Sequence, residues 1–302
     1  MTTYRSQHYE FVDWCNEWSN TALSAALHAI EAQPRRTTTM SGGRLTLVPD
    51  ETARDYLRRA CAAPRAFGVP ALGEADRHGE VVELHGPSAS GKTALLLQIC
   101  ASWCLPDSHG GGSRRVVWID CDGRLRPSRL RAAIYAYAAQ HAEAHAEAAA
   151  ADALNRIQVA SCASSLELLC ALEGVSQMAG EPPLVLVDSI GGFFWREVKP
   201  AEDQGAAPSL FQACVRAVGR LSQRRKAIVV CAKPKFFKAN SLGDHREYLP
   251  REWTLLVKRR LVLSRAGDER MVARFGDPQS DFSGSFQFAV GADGCCVFGD
   301  VR

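Results

Sequence analysis

The sequence predicts an α/β fold: a mostly parallel central sheet flanked by helices, with antiparallel strands at its C-terminal end. Three observations carry this. Between residues 81 and 232 short apolar runs alternate with helical patterns, as a sheet covered on both faces requires. A glycine-rich loop, Gly86-Pro87-Ser88-Ala89-Ser90-Gly91-Lys92-Thr93, joins the first run to the first helix. Beyond residue 250 the runs follow one another with turns and little helix between them, which fits an antiparallel extension.

The elements follow in order. Tyr4, Tyr9, Phe11, Trp14 and Trp18 precede Ala22 to Ile30, which reads as a helix. Pro34-Arg35-Arg36 and Ser41-Gly42-Gly43 then break it. Residues 1–44 are read as an N-terminal extension, either a docked helix or a partly disordered segment, and 45–302 as the core domain. Asp50 can cap a second helix whose stripe is Ala53, Tyr56, Leu57 and Ala60, with Glu51 in its first turn. Val81 to His85 forms the first core strand, and Ala94 to Ile99 lies in the first core helix. Strand 116–120 precedes a helix near 127–152, strand 157–161 one near 164–179, and strand 184–188 one near 207–224. Strand 227–232 follows, and 254–264, 269–275, 285–290 and 295–298 read as the C-terminal strands.

Composition narrows the function classes. The 302 residues are 46% hydrophobic and 23% charged, an ordinary globular balance. No run approaches the length of a membrane helix, no secretory signal opens the chain, and no membrane partner is expected. A net charge of +3 is too small for general nucleic-acid affinity, so any such site must be local. The 11 cysteines include no C-x-x-C pair; Cys100, Cys104, Cys170, Cys214 and Cys231 fall in apolar runs as small hydrophobes. A reducing cytosolic or nuclear setting follows. Adjacent Cys295 and Cys296 receive no function. His141, Glu143 and His145 have i,i+4 spacing on an alanine-rich helix, but no further ligand accompanies them; a solvated face is the reading.

The loop carries the chemistry. In a loop of this pattern successive N–H groups curl around a β-phosphate, Lys92 reaches the β/γ oxygens and Thr93 is a magnesium ligand. Glycines let the backbone approach closely, and the helix N-terminus favours the anion. Gly86, Pro87, Ser88, Ala89, Ser90, Gly91, Lys92 and Thr93 are therefore assigned to ATP, with Thr93 also on Mg2+. Leu184 to Val187 is a buried strand ending in Asp188, placed to hold the same Mg2+ directly or through water.

Ile119-Asp120-Cys121-Asp122-Gly123-Arg124-Leu125-Arg126-Pro127-Ser128-Arg129-Leu130 follows Leu105-Pro106 and Gly110-Gly111-Gly112. This segment resembles I-D-T-E-G-x-F-R-P-E-R-L of the eukaryotic RecA-like recombinases. His78-Gly79-Glu80, Glu83 to Pro87, and Leu186 to Ser189 with Phe194-Trp195 resemble a DNA-repair paralogue branch of that family. So do Tyr248-Leu249, Trp253, Leu256 to Lys258 and Arg260; the likeness covers about residues 45 to 300.

The resemblance implies a RecA-type core binding ATP and Mg2+. It puts Asp122 where the family has a water-polarising glutamate, one methylene short, so weak hydrolysis is expected. It lays Arg129 against adenine and makes Asp277-Pro278 part of a cap over a neighbouring subunit's nucleotide. The family's Asn-Gln pair after the next strand is replaced by Cys231-Ala232-Lys233-Pro234, which argues against DNA-coupled hydrolysis. No Phe-x-x-Ala tether precedes the core, so a homo-filament is not expected.

Lys233, Lys235, Phe236, Phe237 and Lys238 stand where such proteins place a DNA-binding loop. Two readings stay open: cations on phosphates with rings on bases, or rings packed inward with solvated lysines. Lys258-Arg259-Arg260 reads as a solvated strand edge, and Arg224-Arg225-Lys226 as a helix end. The implied role is a nuclear subunit of a hetero-oligomer of recombinase paralogues in homologous recombination repair. It would assist recombinase loading on single-stranded DNA, contacted through the complex. An autonomous DNA-stimulated ATPase and a nucleotide-stabilised scaffold are the alternatives. A small-molecule kinase would need a lid with several arginines and a pocket for an acceptor; the Ile119 to Leu130 resemblance and the strand-rich C-terminus argue against it.

Overall fold

Residues 66–70, 72–75, 79–193, 210–236, 248–267, 270–276, 282–292 and 294–301 are described by a computed structural model. The extension 1–44, the helix expected over 50–60, Phe194-Trp195, Phe237, Lys238 and Asp277-Pro278 lie outside these residues.

The chain runs β1 (Glu80–Gly86), α1 (Lys92–Cys104), β2 (Val116–Asp120), α2 (Pro127–His141), α3 (Ala146–Leu154) and β3 (Ile157–Ser161). It continues through α4 (Ser165–Gln177), β4 (Leu184–Asp188), α5 (Leu210–Gln223) and β5 (Ile228–Pro234). It closes with α6 (Arg251–Leu256), β6 (Val257–Arg265), β7 (Arg270–Gly276), β8 (Gly284–Val290) and β9 (Cys296–Val301). One nine-stranded sheet orders them β3-β2-β4-β5-β1-β6-β7-β8-β9. Pairing is parallel from β3 to β6 and antiparallel from β6 to β9. The expected class is what forms.

The parallel strands are mostly apolar because both faces of the sheet are covered, with Glu80, Glu83, His85, Asp120 and Lys233 among the buried polar exceptions. Val116 and Trp118 pack on one side with Val82, Leu84, Leu186 and Val230, under α1 and α2. Val117 and Ile119 pack on the other with Val81, Val185, Val187 and Val229, under α4 and α5. A fully buried Val or Leu of this kind contributes about 1.5–3 kcal/mol. The antiparallel strands instead alternate, β8 burying Phe286 and Phe288 while Gln287 faces water.

Two expectations need correction. The single helix expected near 127–152 is two: α2 ends at His141, and His145, with φ 63°, precedes α3. His141 and His145 therefore do not share a helical face; the His141 ring stacks on Tyr137 at 4.4 Å. The stretch expected as strand from 254 begins as helix α6 and becomes strand only at Val257. Pro250 stands at the N-cap of α6, and buried Trp253 anchors it. α4 starts where Ser164 accepts a hydrogen bond from the Glu167 N–H at 3.2 Å, while Glu167 accepts from Ala163 N–H.

Because β1, β5, β4 and β2 are neighbours, their C-terminal ends converge on one edge of the sheet. There Gly86, Pro234, Asp188 and Asp120 stand within adjoining registers.

Candidate nucleotide-binding site

The glycine-rich loop leaves β1 at this edge and turns into α1. Gly91 caps α1 with φ 88° and ψ 6°, a left-handed conformation that favours glycine. A Cβ there would also meet Phe288 and Met271 at 2.7–2.8 Å, so β7 and β8 press directly on the loop. Lys92 Nζ donates to Gly86 O at 2.8 Å and Pro87 O at 2.6 Å. This draws its ammonium over the loop's mouth. Thr93 Oγ1 donates to Asp188 Oδ2 at 2.7 Å. Those two oxygens form the hard-donor pair that a magnesium ion takes.

Asp188 is only 4% exposed. Burial pushes its carboxyl up to about 6, helped by the charges of Asp122 and Asp120 and opposed by the Thr93 hydrogen bond and Lys92. Burial lowers Lys92 to about 8 against the pull of Asp188 and Asp122, with Arg124 lowering it further. Both groups are thus short of the counter-charge that a metal–phosphate pair would bring. The donor set fits Mg-ATP on that ground, and the surrounding cavity of about 520 Å³ suits a nucleotide.

Asp122 sits on the exposed turn after β2, where its Oδ1 accepts from Ser189 Oγ at 3.1 Å. Asp120 builds that turn. Its Oδ1 accepts from the N–H groups of Asp122, Gly123 and Arg124 at 3.1, 2.9 and 3.4 Å, and Oδ2 from Leu125 N–H at 3.0 Å. One buried carboxylate thus fixes where Asp122 and Arg124 stand. Asp120 escaped the sequence reading, although an acid closing a wholly apolar strand was a visible signal. Arg129, in the first turn of α2, lines the same cavity, with Met271 and Val290.

The loop expected at DNA is divided. Lys233 is fully buried on β5, its Nζ 3.2 Å from Glu83 Oε2, so it is withdrawn from any phosphate in solution. That expectation is corrected: a buried ammonium is retained only when paired, and Glu83 pairs it. Lys235 is half-buried, and its N–H donates to Gly86 O at 3.0 Å. Phe236 packs on the Tyr248 ring at 5.0 Å and lines the cavity around the glycine-rich loop. Phe236 is half-buried.

The expected solvated edge Lys258-Arg259-Arg260 is also corrected. β6 is interior to the sheet, and Arg260 Nε donates to Glu83 Oε1 at 2.7 Å. Arg259 Nε lies 2.9 Å from Glu80 Oε2, and only Lys258 is exposed. Glu83 further accepts from the Trp253 indole N–H. An acid, two cations and an indole thus form a sealed, buried cluster. The cysteines at 100, 104, 214, 231, 295 and 296 are buried, as small hydrophobes should be. Among the described residues no group of three or more His, Cys, Asp or Glu could hold a metal, and no helix is long and apolar enough to cross a membrane.

Comparison with known proteins agrees with the fold. The Rad51 family model matches residues 72–235, more than half of the chain. DNA repair protein XRCC2 of Mus musculus is 29% identical over 217 residues, covering 66% of this chain and 76% of the mouse protein. The DNA repair protein XRCC2 homolog of Arabidopsis thaliana is 22% identical over 290 residues, 72% of this chain and 78% of its own. DNA repair protein RAD51 of Saccharomyces cerevisiae is 26% identical over 161 residues, 53% of this chain but only 38% of the yeast protein.

Proposed function

This chain belongs to the Rad51 family, and we propose that it is an ATP-binding recombinase paralogue acting in homologous recombination repair of DNA double-strand breaks. The relatives named for DNA repair support that role. The observation that carries the nucleotide reading is the Thr93–Asp188 contact at 2.7 Å directly beside Lys92. Loop N–H groups and Lys92 would hold the phosphates, and Arg129 would lie against the base. Magnesium at Thr93 and Asp188 would neutralise charge on the β and γ oxygens.

Asp122 would orient the attacking water, held in place by Ser189. Its carboxylate is one methylene shorter than glutamate, and an ångström of misplacement costs on the order of a hundredfold in rate. Binding with slow turnover follows. The chain would work in the nucleus, within a hetero-oligomer of recombinase paralogues that helps load the recombinase on single-stranded DNA. Nucleotide would stabilise its assembly-competent form by mass action.

The test is ATP turnover and Mg-ATP binding by the purified chain, with and without single-stranded DNA, against Lys92→Ala. Binding that is lost in the variant, with negligible turnover in the parent, supports this reading. Turnover that rises with DNA and vanishes in the variant would make the chain an autonomous motor. A Lys92→Ala protein that binds Mg-ATP as the parent does would overturn the phosphate-loop assignment.

A further inference from the structure

The turn after β2 brings a second cation to the loop's cavity. Asp120 closes β2 in register with Asp188 on β4, so the turn that follows it stands beside the metal-side acid. The Asp120 carboxylate is buried and accepts from the N–H groups of Asp122, Gly123, Arg124 and Leu125. Gly123 bends the chain with φ 64°, a left-handed conformation that favours glycine. One buried acceptor group thus fixes the backbone of Arg124 before any ligand arrives.

The neighbours of Arg124 leave it the cavity. Leu125 packs half-buried on the core, and Pro127 begins α2. Arg124 lines the cavity with Lys92, Thr93, Asp122 and Asp188. Burial lowers the Lys92 ammonium most, Asp188 and Asp122 oppose that, and the Arg124 charge adds to it. The two cations thus stand close enough to feel one another, and an anion between them would relieve both. Asp122 lies two residues before Arg124 on the same turn and is tied to Ser189, next to Asp188. That is the end of the cavity where the metal and the β and γ oxygens would sit.

We propose that Arg124 is a phosphate-binding residue that grips the terminal phosphate of a bound nucleoside triphosphate, beside Lys92 and within its own chain. The inference rests on the nucleotide-binding reading above. A guanidinium makes charge-assisted bonds to phosphate oxygens. Lys92, the loop N–H groups and the metal would hold a diphosphate as well; Arg124 gains its contact only with the third phosphate. A ligand is favoured by the contacts that its rival cannot make, so the site would select triphosphate over diphosphate. Arg124 is exposed, and screening by water and salt holds the expected gain to about tenfold.

Isothermal titration of the full chain and of Arg124→Ala, with Mg-ADP and with a non-hydrolysable Mg-ATP analogue at one salt concentration, tests this. The alanine keeps the N–H that Asp120 binds, so the turn survives. The analogue should bind Arg124→Ala about tenfold more weakly than it binds the parent, and ADP less than about threefold more weakly. Arg126→Ala removes the next exposed arginine and should change neither constant by more than about twofold. Equal losses for the two ligands, no loss with either, or the same loss in Arg126→Ala would overturn the inference while leaving nucleotide binding intact. If the parent binds neither ligand, the nucleotide reading fails and this inference with it.

Discussion

Two clusters of charge flank the end of β5, and each sets carboxylate against cation, to opposite effect. On one face Glu83 joins Lys233, Arg260 and the Trp253 indole. At the sheet edge Lys92, Thr93, Asp188 and Asp122 stand around an open cavity. Burial alone would raise the Glu83 carboxyl, yet Lys233, Arg260 and the Trp253 N–H bring it down to about 2. Asp188 is nearly as buried and rises to about 6. The first acid has more counter-charge than it needs; the second has less. Residue type does not separate a structural ion cluster from a candidate site. Charge balance and access to solvent do.

Removing the balance should produce the largest effect. Glu83→Ala would leave Lys233 and Arg260 buried without their carboxylate, at a cost of about 3–5 kcal/mol. Urea unfolding measures it; a loss under about 1 kcal/mol would mean that the cluster is hydrated and the contrast false. The pH dependence has a fixed sign. Glu83 ionises far more readily folded than unfolded, so its contribution is present above pH 4.5 and is lost as pH falls toward about 2.

On the open side, Asp122→Glu restores the missing methylene. If reach is what limits turnover, the variant should hydrolyse ATP on the order of a hundredfold faster than the parent. Single-turnover measurements would show it, and an unchanged rate would put the defect elsewhere.

The two site groups set a pH window. On the proposed reading, Mg-nucleotide binding would need Asp188 ionised and Lys92 protonated. Apparent affinity should therefore be highest between about 6 and about 8 and fall on both sides. Without ligand, Asp188 acts in the opposite sense on stability. Its folded value lies above the model-peptide value of 3.8, so its contribution is fully present below that pH and is lost as pH rises through about 6. Titrations from pH 5 to pH 9 by fluorescence and by unfolding separate the two; affinity flat across that range would refute the assignment of both groups.

Local pattern made much of this legible. The loop, the parallel strands and Asp188 are contiguous words, and the structure brings the loop and Asp188 to one cavity. The sealed cluster was not legible, because Glu83, Lys233, Trp253 and Arg260 come from β1, β5, α6 and β6 and meet only when the sheet forms. Read singly, Lys233 sits in a basic aromatic run and Arg260 in a basic strand, both pointing outward. Asp120 was missed for a related reason: its four partners are backbone N–H groups, which leave no mark on composition. The break between α2 and α3 is likewise silent in a stretch where nearly every residue favours helix.

The smallest expected effect probes the outer wall of the open cluster. Arg129 is exposed, with Met271 and Val290 sharing the cavity lining. A guanidinium laid on a base at an exposed position is worth about 0.5–1 kcal/mol. Arg129→Ala should weaken Mg-ATP only about two- to fivefold, and Mg-GTP equally, since stacking does not read the base edge. A loss nearer a hundredfold would mean that Arg129 pairs with a phosphate, where a charge-assisted bond is worth more. The cavity's polarity would then be reversed, with phosphates reaching toward α2. A deficit confined to ATP would instead show an edge contact near Arg129, and the base would be read rather than merely covered.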